Sequence, residues 1–140
     1  MSDWQAAKDH LQSGGYTCVL CRGDAVVTST LRGVKPLMQW LDGDGDFDGF
    51  CAADKVVGKA TAFLYVLLGV RAVYAGVISK VALDVLAQYG IAVEYGERVE
   101  HIINRRKDGI CPFEAAVDAT DDPQRAYAII RDTMKTMQTV

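Results

Sequence analysis

The sequence has little of the features that most often reveal a function. It contains two histidines, His10 and His101, and neither is spaced to form a Cys–His catalytic pair. Its net charge is −3 with both signs mixed, which argues against the basic stripe of a nucleic-acid-binding protein. The longest apolar stretch, residues 60–70, is shorter than the roughly 20 residues that a membrane-spanning helix needs. We therefore expect neither a nucleic-acid partner nor a membrane partner.

The amino terminus also lacks the pattern of a signal peptide, since residues 1–10 are polar and no apolar run follows them. We therefore expect a cytoplasmic protein, in which the four cysteines are free thiols. Cys18 and Cys21 lie three residues apart on a predicted strand, so their side chains should face opposite sides. A redox pair or a zinc knuckle is not expected there.

Half of the residues are hydrophobic, which is enough to build one domain over residues 1–140. Strand-like runs alternate with helix-like runs after an amino-terminal hairpin, which predicts a three-layer α/β/α sandwich with a mixed sheet. The predicted strands are residues 16–21, 25–28, 70–75 and 91–95. The predicted helices are residues 2–12, 36–41, 51–69, 76–89, 97–106 and 123–137, with a further turn or two from Pro112.

The stretch 51–69 is predicted to be one long central helix. It is apolar on nearly every side, which is typical of a helix buried between other layers. Its charges, Asp54, Lys55 and Lys59, all fall in the first two predicted turns. A charged end on a buried helix needs a partner, a solvent opening or a ligand.

Three segments carry a resemblance to a known superfamily: ADKVVGKA (53–60), VYAGVIS (73–79), and Asn104-Arg105 followed by CPFE (111–114). The chain resembles a small uncharacterised family within the cytidine deaminase-like superfamily. The resemblance implies the deaminase-like fold, and it draws attention to Asn104 and Arg105 as ligand-binding candidates. The zinc-site motifs are absent, since CAADK (51–55) replaces the His or Cys plus Glu start and AGVISK (75–80) replaces Pro-Cys-x-x-Cys. Zinc, and any other cofactor, is therefore not expected.

Lys55 and Lys59 are four residues apart, so on the predicted helix they share one face. An anion would relieve their repulsion, and the helix amino terminus would help to hold it. The alternative is that both lysines reach the surface or pair with Glu114 or Asp84.

Four further residues complete the predicted site. Asp54 and Glu114 are candidate proton carriers, and Cys111 is a candidate nucleophile, although buried cysteines are more often inert. Ser79 is predicted either to bind the ligand or to cap a helix. Cys51, at a predicted helix amino terminus where a thiolate would be stabilised, could also be a nucleophile.

Two short motifs are rejected. DGDFDG (44–49) matches half of a calcium loop, but Lys55 occupies the twelfth position, where a bidentate Glu is required. Residues 53–60 resemble a Walker A loop, but we expect no strand before them, and Ala60 replaces the magnesium-binding Ser or Thr.

The leading hypothesis is a metal-independent, deaminase-like site that binds a small anionic metabolite or nucleotide. The competing hypothesis is a non-enzymatic regulatory or assembly module on the same scaffold, with the Met134–Met137 tail contributing to a homo-oligomer. A zinc deaminase with unusual ligands would require bound zinc. The residues do not decide between the first two, so enzymatic activity stays open.

Overall fold

A five-stranded mixed sheet forms the centre of the computed structural model, which describes residues 2–103, 107 and 109–138. The strands are β1 (Cys18–Arg22), β2 (Ala25–Ser29), β3 (Cys51–Val57), β4 (Ala72–Ser79) and β5 (Ala92–Val99). Their order across the sheet is β2-β1-β3-β4-β5. β1 is antiparallel to both β2 and β3, whereas β3, β4 and β5 are parallel to one another. The prediction of a mixed sheet in an α/β fold is confirmed.

Six helices are formed by the described residues: α1 (Asp3–Ser13), α2 (Lys35–Asp42), α3 (Lys59–Leu68), α4 (Lys80–Gln88), α5 (Pro112–Val117) and α6 (Pro123–Gln138). α1 packs against β1 and β3 on one face of the sheet. α3 lies in the larger apolar cluster on the opposite face, where it contacts α2, α4, α5 and α6. Ser2 caps α1, because its hydroxyl accepts a hydrogen bond from the Gln5 backbone N–H over 3.1 Å.

α3 is the most deeply buried helix, and two of its aromatic side chains, Phe63 and Tyr65, are fully buried. Burying such rings contributes on the order of 2–3 kcal/mol each. Gly69 ends the helix in the left-handed conformation (φ 79°), which a residue with a side chain rarely adopts. The central position predicted for this stretch is therefore correct for its second half.

The first half of the predicted long helix is wrong, because residues 51–57 form β3. β3 is covered on both faces of the sheet, since Ala52 packs in the larger apolar cluster and Ala53 in the cluster around α1, so its first residues form an apolar run without a period of two. Such a run does not by itself distinguish a buried strand from a buried helix. Gly58, extended at φ −103° and ψ −175°, separates β3 from α3.

Two more predicted helix starts are wrong for a related reason. The chain does not turn at Gly76: β4 continues through the β-branched pair Val77 and Ile78 to Ser79, and α4 begins only afterwards. The predicted helix over residues 97–106 is also wrong for residues 97–103, because Glu97 to Val99 belong to β5 and residues 100–103 are not helical. Residues 104–106 of that prediction lie outside the described residues. In both places a strand extends further than the local pattern indicated.

Candidate functional site

A cavity of ≈ 970 Å³ opens at the carboxyl end of β3. Because β1 runs antiparallel to β3, the start of one strand and the end of the other meet there, and Cys18 lies opposite Asp54. The starts of α2, α3 and α5 and the last turns of α6 form the remaining walls. Ligands of α/β proteins commonly bind beyond the carboxyl ends of parallel strands. The fold therefore brings chain segments far apart in sequence to one concave site.

Asp54 lies at this cavity with only 7% of its surface exposed. Its Oδ2 accepts a hydrogen bond from the Tyr65 hydroxyl over 2.7 Å, and the Cys18 sulfur lies 3.0 Å from the same hydroxyl oxygen. Burial raises the pKa of Asp54 from 3.8 to about 7, and the hydrogen bond from Tyr65 acts in the opposite direction. Asp54 can therefore gain or lose a proton near neutral pH, as a general acid or base must.

The other two members of this cluster are less acidic than usual. Burial, together with the charge of Asp54, raises the pKa of the Cys18 thiol and of the Tyr65 phenol well above their ordinary values. Both therefore stay protonated at neutral pH. When Asp54 is ionised, Tyr65 donates to Asp54 and Cys18 is left to donate to Tyr65. The three side chains form a buried chain of hydrogen bonds that ends at the cavity wall.

Glu114 occupies the amino terminus of α3. Its two carboxylate oxygens accept hydrogen bonds from the backbone N–H groups of Lys59 (2.6 Å) and Ala60 (2.8 Å). These bonds lower the pKa of Glu114, but burial is the larger effect and leaves it raised. A side chain at Gly58 would place its Cβ 2.2 Å from Oε1 of Glu114, so glycine is needed for this close approach. The carboxylate takes the place that an anion would occupy at a helix amino terminus.

Lys55 and Lys59 do not share a face, contrary to the prediction, because Lys55 lies on β3 and Lys59 on α3. Lys55 is exposed and lines the cavity. Lys59 is buried and its ammonium turns away, donating to the backbone oxygen of Asp118 over 2.9 Å. The ammonium also lies 3.9 Å from a carboxylate oxygen of Asp121. Of these two lysines, only Lys55 is therefore placed to contact a ligand in the large cavity.

The cavity also has two cations that the sequence pattern did not single out, Arg32 and Lys35. Both are exposed, as is Lys55, and none of the three forms an ion pair with an acidic side chain among the described residues. Arg32 and Lys35 were not predicted as site residues because they follow β2 in a segment with no motif. Tyr65 was missed because its link to Asp54 depends on β3 and α3 being separate elements.

The remaining predicted residues lie in different places. Cys111 precedes α5, is half-buried and lines the cavity. Ser79 caps α4 through a hydrogen bond from the Ala82 N–H over 3.2 Å, which is the predicted capping alternative. It lines a neighbouring cavity of ≈ 390 Å³ together with Lys59 and Glu114. Asn104 and Arg105 lie outside the described residues.

The two rejected motifs also have structural outcomes. A strand, β3, does precede residues 58–60, so that part of the reason for rejecting a Walker A loop is wrong. The position of a bound phosphate is nevertheless taken by Glu114, and Ala60 has no hydroxyl. Residues 44–49 form a loop with a turn at Asp48 and Gly49, and Oδ1 of Asp46 accepts the Asp48 N–H over 3.0 Å.

The described residues do not fit the zinc site of a deaminase. No group of three His, Cys, Asp or Glu side chains among them is arranged to hold a metal. Cys51 is fully buried and lies at the beginning of β3, so it is at the opposite end of the strand from the cavity. It also does not begin a helix, which removes the reason for predicting a stabilised thiolate there. No described helix is long and apolar enough to cross a membrane.

Comparison with known proteins places this architecture in a family. No curated protein matches the chain. The chain is similar to the crystal structure of a DUF1893 family protein, TM1506 from Thermotoga maritima, with 26% sequence identity and a TM-score of 0.85. The similarity covers 91% of this chain and 87% of the other. A family model described as "TM1506: Domain of unknown function (DUF1893)" matches residues 6–134. This range contains all the residues that line the cavity except Met137. The chain therefore belongs to the DUF1893 family.

Proposed function

We propose that this protein binds a small anionic metabolite, of about the size of a nucleotide, in the cavity at the carboxyl end of β3. The observation that carries the proposal is the combination of a buried carboxyl group, Asp54, with three cations that have no acidic partner among the described residues. These cations, Arg32, Lys35 and Lys55, line the same cavity and are called its rim. The volume of ≈ 970 Å³ falls near the upper end of the usual range for small-molecule sites, roughly 300–1,000 Å³. The site thus has both the space and the polar groups for a ligand.

The rim favours negative charge. Arg32, Lys35 and Lys55 supply three positive charges, whereas both acidic groups at the cavity, Asp54 and Glu114, are largely buried. Cations without an acidic partner keep their attraction for a diffusing anion, and a concave site concentrates that attraction. The apolar wall from Val34, Phe113 and Met134 would contact the uncharged part of the ligand.

Asp54 is the group we assign to proton transfer. It lies at the cavity, it titrates near neutral pH, and Tyr65 fixes its orientation. Cys111 lies on the same wall, where it remains the candidate nucleophile. Glu114 is bound to two backbone N–H groups, which favours a structural role over the proton transfer first assigned to it.

We also retain the deaminase-like scaffold as part of the proposal. The resemblance depends on three segments, and two of them, residues 53–60 and 73–79, lie in β3 with the start of α3 and in β4. The site itself would work without zinc, through this chain's own acid and base groups. The four free cysteines support a location in the reducing cytoplasm.

Thermal-shift screening with nucleotides and sugar phosphates tests the proposal. A ligand that binds only the folded state raises the melting temperature, so a hit should stabilise the wild type. Lys55→Ala and Asp54→Asn should weaken that response, and Lys80→Ala, a change at an exposed lysine on α4, should not. Equal shifts in melting temperature in Lys55→Ala and Lys80→Ala would show that Lys55 does not bind the ligand.

One observation favours the assembly module as the second candidate. Ile103 and Met137 line the same cavity and are 60% and 51% exposed, and exposed apolar side chains that cluster can mark an interaction site. If the cavity serves assembly, Ile103→Ser with Met137→Ser should change the oligomeric state and no metabolite should stabilise the protein. If it serves a metabolite, the same variant should keep the oligomeric state.

A further inference from the structure

β5 forms one edge of the sheet, and its outer side has no partner strand among the described residues. Six of its eight residues are exposed, and only Val93 and Val99 are partly buried. An exposed edge strand presents a row of unpaired backbone N–H and C=O groups, which is a ready surface for another strand. The question is which strand would fit it.

The backbone groups that face outward can be identified from one hydrogen bond. The Ala92 N–H donates to the oxygen of Arg71 over 3.2 Å, so the backbone groups of Ala92 point toward β4. These directions alternate along a strand, and the register with β4 is constant from Ala92 to Val99. The outward groups are therefore those of Val93, Tyr95, Glu97 and Val99.

The side chains alternate in the same way between the two faces of the sheet. Glu94 faces α1, because its carboxylate lies 2.6 Å from the ammonium of Lys8. Val93 packs on the other face with the larger apolar cluster. Arg98 is four residues after Glu94 and so lies on the α1 face, whereas Val99 lies on the face of Val93.

We propose that a second copy of this chain pairs with β5 in antiparallel fashion, about a two-fold axis at Gly96. In this register Val93 lies opposite Val99 of the second copy, Tyr95 opposite Glu97, and Glu94 opposite Arg98. All four outward-facing residues then pair with outward-facing residues, as an antiparallel ladder requires. Each Glu94 meets an arginine across the interface, and opposite charges directly across strands stabilise a sheet.

The neighbouring symmetric registers are less favourable. An axis at Tyr95 would place Val93 opposite Glu97 and leave Glu94 opposite Gly96. An axis at Glu97 would bring the two Glu97 side chains together, and like charges directly opposite are destabilising. Of these three axes, only the one at Gly96 places opposite charges across from each other and valine across from valine. The two sheets would then continue into one, with no free edge at β5.

A cysteine cross-link tests this register directly. Glu94 and Arg98 of the second copy would form a non-hydrogen-bonded pair with Cα atoms about 4.5 Å apart, which suits a disulfide. Within one chain the two positions are about 13 Å apart, which does not. In a Cys111→Ser background, mixed Glu94→Cys and Arg98→Cys chains should form a covalent heterodimer on mild oxidation. Each single variant alone should not. Absence of the mixed dimer, or equal dimer in the single variants, would overturn the register.

Charge reversal tests the same interface without covalent chemistry. By light scattering at micromolar concentration, the wild type should have twice the chain mass. Arg98→Glu places Glu opposite Glu94 and should give a monomer with an unchanged circular dichroism spectrum. The triple variant Lys8→Glu/Glu94→Arg/Arg98→Glu reverses the whole cluster and should restore the dimer. Arg125→Glu on α6, exposed and remote from β5, is the matched control and should remain dimeric. A monomeric wild type, or a dimeric Arg98→Glu variant, would overturn the proposal.

Discussion

The Tyr65 hydroxyl donates a hydrogen bond to Oδ2 of Asp54 over 2.7 Å, in the interior of the domain beside the cavity. This bond stabilises the ionised carboxylate and so opposes the effect of burial on its pKa. Tyr65→Phe should therefore raise the pKa of Asp54 above about 7. The variant should also lose about 1 kcal/mol of stability through the missing hydrogen bond. Carbon NMR of the Asp54 carboxyl group across a pH series measures the first effect, and urea denaturation measures the second.

A matched control for this change is Tyr89→Phe, at a residue that is 42% exposed and lies at the end of α4. It removes the same hydroxyl group without touching Asp54, so the pKa of Asp54 should stay as in the wild type. If Tyr65→Phe also left it unchanged, the hydrogen bond would have no influence on the pKa of Asp54.

Asp54→Asn should change how stability depends on pH. The folded protein keeps the proton on Asp54 up to about pH 7, but the unfolded chain loses it near pH 3.8. Between these values the folded state binds more protons, so the contribution of Asp54 to stability falls as the pH rises. The pKa difference corresponds to about 4 kcal/mol. Relative to the wild type, the free energy of unfolding of Asp54→Asn should therefore increase by about that amount across this range.

Denaturant titrations of both proteins at several pH values measure this difference. Glu114, whose pKa is also raised by burial, is present in both proteins and so cancels in the comparison. A difference between the two proteins that stays constant from pH 4 to 7 would contradict the raised pKa of Asp54.

Gly58→Ala should separate α5 from α3. The added methyl group would displace the Glu114 carboxylate, and its two charged hydrogen bonds to backbone N–H groups would be lost. The expected loss of stability is about 2 kcal/mol. Glu114→Ala should cost much less in the Gly58→Ala background than in the wild type, because both changes remove the same contact. A double-mutant cycle by urea denaturation measures the coupling, and additive effects would show that the contact contributes little.

Lys55→Ala and Lys59→Ala should differ in how much stability they cost. The Lys59 ammonium bonds to the Asp118 backbone, and its side chain is 10% exposed and lies over the Phe63 ring, so its removal should cost about 1–2 kcal/mol. Lys55 is exposed, and its removal should change stability by less than about 0.5 kcal/mol. Thermal and urea denaturation measure both. A larger loss in Lys55→Ala than in Lys59→Ala would contradict the structural assignment.

The hairpin and the last helix followed from sequence because their signals are local. Arg22-Gly23-Asp24 between two strand-like runs defines the turn, and Pro123 begins α6 as predicted. β3 did not follow, because its apolar run becomes a strand only through its neighbours β1 and β4, which lie far away in sequence. That error also placed Lys55 and Lys59 on one helix face.

The candidate site was likewise predicted only in part from the sequence. Asp54, Lys55, Cys111 and Glu114 all line the cavity. For Asp54 and Lys55, the predicted reason, the start of one long helix, is wrong. Ser79 and Lys59 lie in the neighbouring cavity, because β4 extends to Ser79 and Lys59 turns toward Asp118. Tyr65 and Arg32 have no spacing relationship to the other site residues, so only the folded chain brings them together.

The antiparallel direction of β1 has a practical consequence for probing this protein. β1 begins at the cavity and runs away from it, so the turn at Gly23 and Asp24 lies at the far end of the sheet. A fluorophore or affinity tag placed at Asp24, which is exposed, would report on the molecule without obstructing the cavity. A label between Ser29 and Lys35 would instead stand at the mouth of the cavity and would sense whatever enters it.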